Sequence, residues 1–148
     1  MSVQVRPLAD RDFFPWLGLY AEYGDLHDAP LTDDKALLLW SWLTDKKRRI
    51  DGVVAVDDDG NLVGLAHFRE FLRPLYGDFG IFLDDLYVAS KGRRSGVAHA
   101  LMEHVKQVAA ERGATVVDWV TDPGDEAARQ LSNGYAQATD RITYELRF

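Results

Sequence analysis

The sequence predicts a mixed α/β fold in which helices flank one central β-sheet. Segments with helical spacing of apolar residues alternate along the chain with short runs rich in β-branched residues. The predicted order of elements is β-α-α-β-β-β-α-β-α-β. The length of 148 residues suits one domain, and no repeat, low-complexity tract or Pro/Gly-rich linker divides the chain. Residues 1–148 are therefore predicted to form a single domain.

In the first part of the chain, two helices are predicted between strands. Residues 3–7 favour a short opening strand, and Asp12 is expected to cap a helix that ends at Gly24. Thr32 is expected to cap the second helix. The strands predicted next are residues 53–56, 62–70 and 80–88.

The helix after Gly96 has the clearest pattern in the sequence, and Gly113 is expected to end it. Its apolar stripe consists of Val97, Leu101, Val105 and Val108. Residues 115–121 are rich in β-branched side chains, which predicts a buried strand, and a turn at 122–125 leads into a short helix.

A final strand is predicted from strict alternation of apolar and polar residues after position 141. The apolar members are Ile142, Tyr144, Leu146 and Phe148. A further short strand is considered near residues 136–139.

Composition narrows the classes of function. A formal charge of −7 argues against non-specific nucleic-acid binding, which depends on Lys and Arg at phosphates, and it suits a cationic substrate or simply solubility. The chain has no cysteine, no signal-peptide pattern and no apolar run long enough to span a bilayer. We therefore expect a cytoplasmic protein that binds neither membranes nor nucleic acids. Histidine spacing indicates no metal site.

One local motif has the features of an anion-binding site. It is the segment Arg93-Arg94-Ser95-Gly96-Val97-Ala98, between a strand and a helix. Unpaired N–H groups and the positive dipole end at a helix N-terminus favour an anion such as a pyrophosphate. Gly96 permits close approach of the backbone, and the two arginines add positive charge. Taken alone, so short a glycine motif is better explained by a tight turn onto a helix, without any ligand.

With the strand end Leu86-Tyr87-Val88 before it, this motif resembles the coenzyme-binding segment Gln/Arg-x-x-Gly-x-Gly/Ala of the GNAT superfamily of N-acetyltransferases. The resemblance covers nearly the whole chain and is strongest to the diamine, polyamine and histone-acetylating branches. It implies a mostly antiparallel sheet that splays at the cofactor site, about four flanking helices, acetyl-CoA as cosubstrate and a homodimer.

The resemblance also implies roles for particular residues. Leu86, Tyr87 and Val88 would pair with the pantetheine of acetyl-CoA, and the backbone around Gly96 would hold its pyrophosphate. Asp125 stands where the family often has a cofactor-binding Asn, and Ala128 matches the family's Ala. Ser132 stands at the position of a family Tyr. This departure leaves Tyr135 as the nearest substitute proton donor, although a core aromatic is an alternative interpretation of Tyr135.

Acetyl transfer requires a neutral amine, and a lysine-like amine has a pKa of about 10.4, so a base assists the reaction. Asp84 is preferred as that base because strand alternation places it on the face of Leu86 and Val88. A bulge would exchange it with Asp85, and either acid could instead hold a cationic substrate or be structural. The resemblance implies that the early segment 20–28 walls the acceptor site; a solvated acidic loop is the alternative.

These observations predict direct transfer of an acetyl group from acetyl-CoA to a primary amine in a ternary complex. The expected acceptor is a small cationic amine or polyamine, with a protein lysine or N-terminus as the alternative. A non-catalytic acyl-CoA-binding module is a third interpretation, because Asp125 and Ser132 depart from the family pattern. A dinucleotide site with Asp118 as ribose ligand is weakly supported, since the first glycine of that motif is missing.

Overall fold

A computed structural model describes residues 2–47, 50–90 and 96–148 as four helices around a five-stranded sheet. The strands are β1 Gln4–Pro7, β2 Ile50–Val56, β3 Leu62–Arg73, β4 Asp78–Val88 and β5 Val117–Asp118. The helices are α1 Phe13–Leu26, α2 Asp33–Thr44, α3 Val97–Arg112 and α4 Glu126–Asn133, and short 3₁₀ turns cover Asp10–Asp12 and Pro74–Tyr76. In these three ranges, no helix combines the length and apolar character needed to cross a membrane.

The sheet has the order β1-β2-β3-β4-β5, and its first four strands are antiparallel to their neighbours. β5 alone runs parallel to its neighbour and pairs with β4 at two positions, Ile81 with Val117 and Phe82 with Asp118. Within the described ranges, β4 therefore has no strand partner on that side beyond Phe82. The predicted mixed α/β fold with a mostly antiparallel sheet is confirmed.

Two apolar layers hold the helices on opposite faces of the sheet. On one face, Trp16 and Leu19 of α1 pack with Val54, Leu65 and Tyr87 of the strands. On the other face, α3 packs its apolar stripe onto a second set of strand residues. The buried residues of this second layer include Val63, Ala66, Ile81, Leu83, Leu101 and Val105. Each large side chain fully buried here contributes about 1.5–3 kcal/mol, so the α3 face anchors the helix firmly.

Two of the four residues predicted to cap or end a helix do so in the structure. Thr32 accepts a hydrogen bond from the Lys35 N–H at the start of α2 (3.3 Å), and Gly113 ends α3 with a left-handed φ of 80°. Asp12 precedes α1, but its carboxylate binds the Ala9 N–H and Arg6 instead of the first turn of the helix. α1 continues past Gly24 to Leu26, so the glycine does not end it.

The strand predictions after α3 are only partly correct. The strand predicted over 115–121 is reduced to Val117–Asp118, and neither 136–139 nor 142–148 forms a strand. A strand requires a paired neighbour for its backbone groups, and within the described ranges no strand pairs with 142–148. Apolar and polar residues do alternate after residue 141, but in the described part of this chain no strand pairs with the segment.

Candidate functional site

An irregularity in β4 determines how the two candidate acids are oriented. His67 of β3 pairs with Asp85, but the next residue, Phe68, pairs with Leu83. Asp84 is therefore the extra residue of a β-bulge. Such a bulge shifts the side-chain alternation by one position along β4.

The bulge places both acids on the same face of the sheet. Leu86 and Val88 pack into the layer beneath α3, whereas Asp84 and Asp85 both line a cavity on the other face. The alternation argument that grouped Asp84 with Leu86 and Val88 is therefore wrong, because it assumed an unbroken strand. Two adjacent carboxylates at one cavity are the result.

The cavity, about 970 Å³ in volume, is lined by residues of α1 and α2 and by residues from the interior of β3 and β4. Its polar and aromatic lining consists of Tyr20, Tyr23, His27, Lys35, Trp42, Arg69, Glu70, Asp84 and Asp85. Tyr20, Tyr23 and His27 come from the segment 20–28 that was expected to wall an acceptor site. The cavity offers both signs of charge and aromatic surface to a small polar molecule.

Asp85 lies at the end of a hydrogen-bonded chain that begins in the core. The Trp16 indole N–H donates to Nε2 of His67 (3.0 Å), and Nδ1 of His67 lies 2.8 Å from the Asp85 carboxylate. An indole nitrogen can only donate, so Nε2 must accept and the His67 proton must lie on Nδ1. Nδ1 of His67 thus donates to Asp85. The Tyr20 hydroxyl donates to the same carboxylate oxygen at 2.9 Å.

These donors keep Asp85 ionised. Burial alone raises the pKa of Asp85, but its interactions with His67 first, and then with Tyr20 and Tyr23, outweigh burial and hold the pKa below its ordinary value. Burial and the charge of Asp85 raise the pKa of both tyrosine hydroxyls, so these remain protonated donors. A fixed negative charge therefore lies in the wall of the cavity.

Asp84 has a different environment. Its carboxylate forms an ion pair with Nε of Arg69 at 3.0 Å, and its side chain is 28% exposed. Burial raises the pKa of Asp84 above its ordinary value despite the opposing effect of Arg69. The two neighbouring acids thus have pKa values shifted in opposite directions, a pattern that separates a proton acceptor from a charge holder.

The predicted cofactor loop is described only from Gly96 onward, and Arg93, Arg94 and Ser95 lie outside the described residues. Gly96 has a left-handed φ of 75° immediately before α3, and a Cβ there would meet open space. Val97 is buried in the core, so it can offer a ligand only its backbone. Ala98 follows it in the first turn of α3, where N–H groups are unpaired.

The segment Leu86-Tyr87-Val88 lies where β4 has lost its β5 partner. The Tyr87 hydroxyl donates to Glu22 of α1 at 2.9 Å, so this side chain points away from the face that carries α3. What the segment presents toward the gap beside β5 is its backbone.

Two residues at opposite ends of α4 have internal roles. Asp125 caps the helix by accepting the Ala128 N–H at 3.1 Å. Ser132 accepts the Trp119 indole N–H at 2.8 Å and donates to the Ala128 carbonyl at 2.8 Å. Asp125 therefore replaces the family Asn with a residue that caps a helix well, and Ser132 positions a tryptophan.

Tyr135 lies apart from the paired acids. Its hydroxyl is 3.1 Å from Nδ1 of His99 on α3, and burial together with Glu103 raises its pKa. It is not among the residues that line the cavity of Asp84 and Asp85 in the described part of the chain. The structure thus brings Asp84 and Asp85 together and places Tyr135 next to the first turn of α3.

A strand that loses its parallel neighbour beside a helix N-terminus, with acids at an adjacent cavity, is the architecture expected of an acetyltransferase. The sequence matches the acetyltransferase (GNAT) family over residues 11–133. The chain belongs to this family and is an N-acetyltransferase.

Similar proteins act on varied amines according to their names. The chain is 28% identical to the D-amino-acid N-acetyltransferase HPA3 of Saccharomyces cerevisiae over 144 residues, which is 97% of this chain and 89% of the yeast protein. A ribosomal-protein-alanine N-acetyltransferase from Brucella melitensis has 26% identity and a TM-score of 0.83, with 100% of both chains covered. An aminoglycoside 6'-N-acetyltransferase from Acinetobacter baumannii shares the fold at 16% identity, with a TM-score of 0.80 and 99% of both chains covered.

Proposed function

We propose that this enzyme transfers the acetyl group of acetyl-CoA to the primary amine of a small acceptor bound in the cavity at Asp84 and Asp85. The observation that carries the proposal is the pair of acids, one held ionised and the other with a raised pKa. Lys35 and Arg69 line the same cavity, so an acceptor carboxylate would also find a partner there. Small cationic amines, polyamines and amino acids all suit this lining. D-amino acids are the substrate class in the name of the yeast relative.

The two acids have different roles in the proposed reaction. Asp85, ionised and held by three donors, attracts the ammonium form of the acceptor and fixes its position. Asp84 takes the proton, directly or through one water, because a carboxylate with a raised pKa is the stronger base. Tyr20 and Tyr23 orient Asp85 through their hydroxyl groups.

The reaction then proceeds by direct attack in a ternary complex. The amine lone pair forms a C–N bond with the thioester carbonyl carbon, and the tetrahedral intermediate collapses by breaking the C–S bond. Asp84 takes the proton of the ammonium before the attack, and the second proton that the nitrogen loses as the amide forms passes to the departing thiolate, so that coenzyme A is released as its thiol. A thiol has a pKa of about 8.5, so this leaving group needs little help from an acid, and the position of Tyr135 away from the cavity is compatible with turnover.

The cosubstrate would bind on the opposite side of β4. The backbone of Leu86, Tyr87 and Val88 offers hydrogen bonds to the pantetheine amides, as an added strand would receive them. The N-terminus of α3 at Gly96 offers the pyrophosphate unpaired N–H groups and a positive dipole end. Arg93 and Arg94 would add charge to this site.

The acceptor class is tested by measuring the rate at which the coenzyme A thiol is released with each amine of a panel. The panel contains a diamine, a polyamine, D- and L-enantiomers of several amino acids, and a peptide with a free N-terminus. We expect release with at least one small amine and slower release with the peptide. A faster reaction with the peptide would favour the second candidate, a polypeptide acceptor, which the Brucella relative's name supports. Bound acetyl-CoA without release above background for any amine would overturn the proposal.

Replacing Gly96 tests the cofactor site. In Gly96→Ala the new Cβ enters space that is open in the structure but would be shared with the pyrophosphate, so acetyl-CoA affinity should fall at least tenfold by calorimetry. The matched control is Gly113→Ala at the other end of α3, where φ is also left-handed and the space also open. Both variants carry the same backbone strain of about 1–2 kcal/mol. If the two variants bind acetyl-CoA with equal affinity, Gly96 is not part of the cofactor site.

A further inference from the structure

A cation and two acids lie side by side in the wall of the cavity. Nε of Arg69 donates to the Asp84 carboxylate at 3.0 Å, and Asp85 follows directly in β4. This contact uses one of the five N–H groups of the guanidinium, and no described residue accepts from the N–H groups on its two Nη atoms. Cζ of Arg69 also lies 4.8 Å from the ring centroid of Phe82. A cation held in place, with donors to spare, therefore adjoins the two acids.

This arrangement matches a molecule that carries both charges on one carbon atom. In an α-amino acid the ammonium and the carboxylate are attached to the same carbon, so an ammonium at Asp84 and Asp85 brings the carboxylate within reach of Arg69. A planar guanidinium binds a carboxylate through two parallel hydrogen bonds. A diamine or polyamine offers Arg69 a second ammonium instead, which the guanidinium repels. The neighbouring charges thus favour a zwitterionic acceptor.

The remaining charges of the lining act in the same direction. Lys35 contributes a second cation, and in the described ranges no acid forms an ion pair with it. Glu70 is a third acid of the lining, but Nη1 of Arg112 lies 3.4 Å from its carboxylate and compensates part of its charge. An anionic group of a ligand therefore meets Lys35 and the outer N–H groups of Arg69.

The rest of the wall is apolar and comes mainly from α2 and the residues next to it. It consists of Leu31, Leu38, Leu39, Trp42 and Ile50. Leu38 is 51% exposed although it lines the cavity. The volume of about 970 Å³ leaves room for a large side chain beside the charged groups. Each methylene group of a ligand that is buried against such a wall increases affinity about fourfold.

We propose that the acceptor is an α-amino acid with a large apolar side chain, whose carboxylate binds Arg69 and whose side chain packs on Leu38 and Trp42. The inference rests on the proposed function and narrows its acceptor class, because it excludes diamines and polyamines. The ammonium lies at Asp84 and Asp85, as in the proposed reaction. Arg69 then determines specificity in addition to its contact with Asp84.

The first test compares leucine with 3-methylbutylamine, which is leucine without its carboxylate. The ratio of kcat/KM for leucine, in its faster enantiomer, to kcat/KM for 3-methylbutylamine is measured in wild type and in Arg69→Gln. We expect this ratio to fall about tenfold or more in Arg69→Gln, because hydrogen bonds between charged groups are lost with leucine alone. The same two amines are used with both enzymes, so differences in amine basicity, and any effect of Arg69 on Asp84, cancel in the comparison.

The outcomes of this test separate the inference from the proposed function. Release of coenzyme A with neither compound, nor with any amine of the panel above, overturns the proposed function and this inference with it. Release with amines, but with the same ratio in Arg69→Gln and wild type, overturns this inference alone. A polyamine that reacts faster than leucine also overturns it.

The second test concerns the side chain of the acceptor. In the wild type, kcat/KM should be at least tenfold higher for leucine than for alanine, because leucine buries three more carbon atoms. Leu38→Ser should reduce this preference. The matched control is Leu37→Ser, a neighbouring position of α2 that is 59% exposed and is not among the residues that line the cavity. If Leu38→Ser and Leu37→Ser prefer leucine equally, the side chain of the acceptor does not pack on Leu38 and the proposal is wrong.

Discussion

Asp84→Asn should lower kcat about a hundredfold while leaving the affinity for acetyl-CoA unchanged, because a positioned general base contributes about 10²–10⁴ in rate. The amide cannot take a proton, but it keeps the size of the side chain at the bulge of β4. Steady-state kinetics with the best acceptor of the amine panel, together with calorimetry of acetyl-CoA, measures both quantities.

The matched control is Asp51→Asn, which also removes a carboxylate paired with an arginine at 3.0 Å, but outside the cavity. Its kcat should equal that of the wild type. If Asp84→Asn is equally active, Asp84 is not the base, and Asp85 becomes the remaining acid of the cavity.

The pH dependence gives an independent test of the same role. Asp84 acts as a base only when ionised, so kcat/KM should fall as pH decreases through its raised pKa. Arg69 lowers that pKa through its hydrogen bond and charge. Arg69→Gln should therefore raise the pKa further and move the acid limb of the profile to higher pH. If the acid limb lies at the same pH in Arg69→Gln and in the wild type, the group that produces this limb is not Asp84.

The sequence predicted much of the site because some signals are local. A glycine before an amphipathic helix indicates a helix N-terminus, and the structure has Gly96 in that conformation. The orientation of Asp84 was not predictable, since a bulge depends on how β3 and β4 pair and leaves no mark in β4 itself. Asp125 illustrates a third case: its capping of α4 is a local role that the sequence could have indicated, since Asp is a preferred N-cap residue.

His67 and Trp16 were missed as parts of the site, although one signal existed. His67 interrupts an apolar strand, and a buried imidazole must find hydrogen-bond partners. The sequence shows that a partner is needed but not which one, because Trp16 and Asp85 lie 51 and 18 residues away. The strand predicted over 142–148 is wrong for the same reason. Its alternation is visible in the local sequence, whereas the presence of a neighbouring strand to pair with is not.

His67→Phe should reduce the free energy of unfolding by about 2–5 kcal/mol at neutral pH, because two polar groups lose a buried partner at about 1–3 kcal/mol each. The Trp16 indole N–H loses its acceptor, and the Asp85 carboxylate loses a donor. Denaturant unfolding measures the change. The matched control is His104→Phe, a partly exposed histidine of α3, where we expect a change within about 0.5 kcal/mol.

The dependence of this loss on pH separates the Asp85 contact from simple packing. Asp85 has a lowered pKa in the folded state, so its contribution to stability is present above the unfolded pKa of about 3.8 and is lost as pH falls through the folded value. Removing the His67 donor raises the pKa of Asp85 and removes part of that contribution. The stability difference between wild type and His67→Phe should therefore narrow as pH falls below about 4. A difference that is constant with pH would mean that His67 stabilises the fold by packing and does not hold the charge of Asp85.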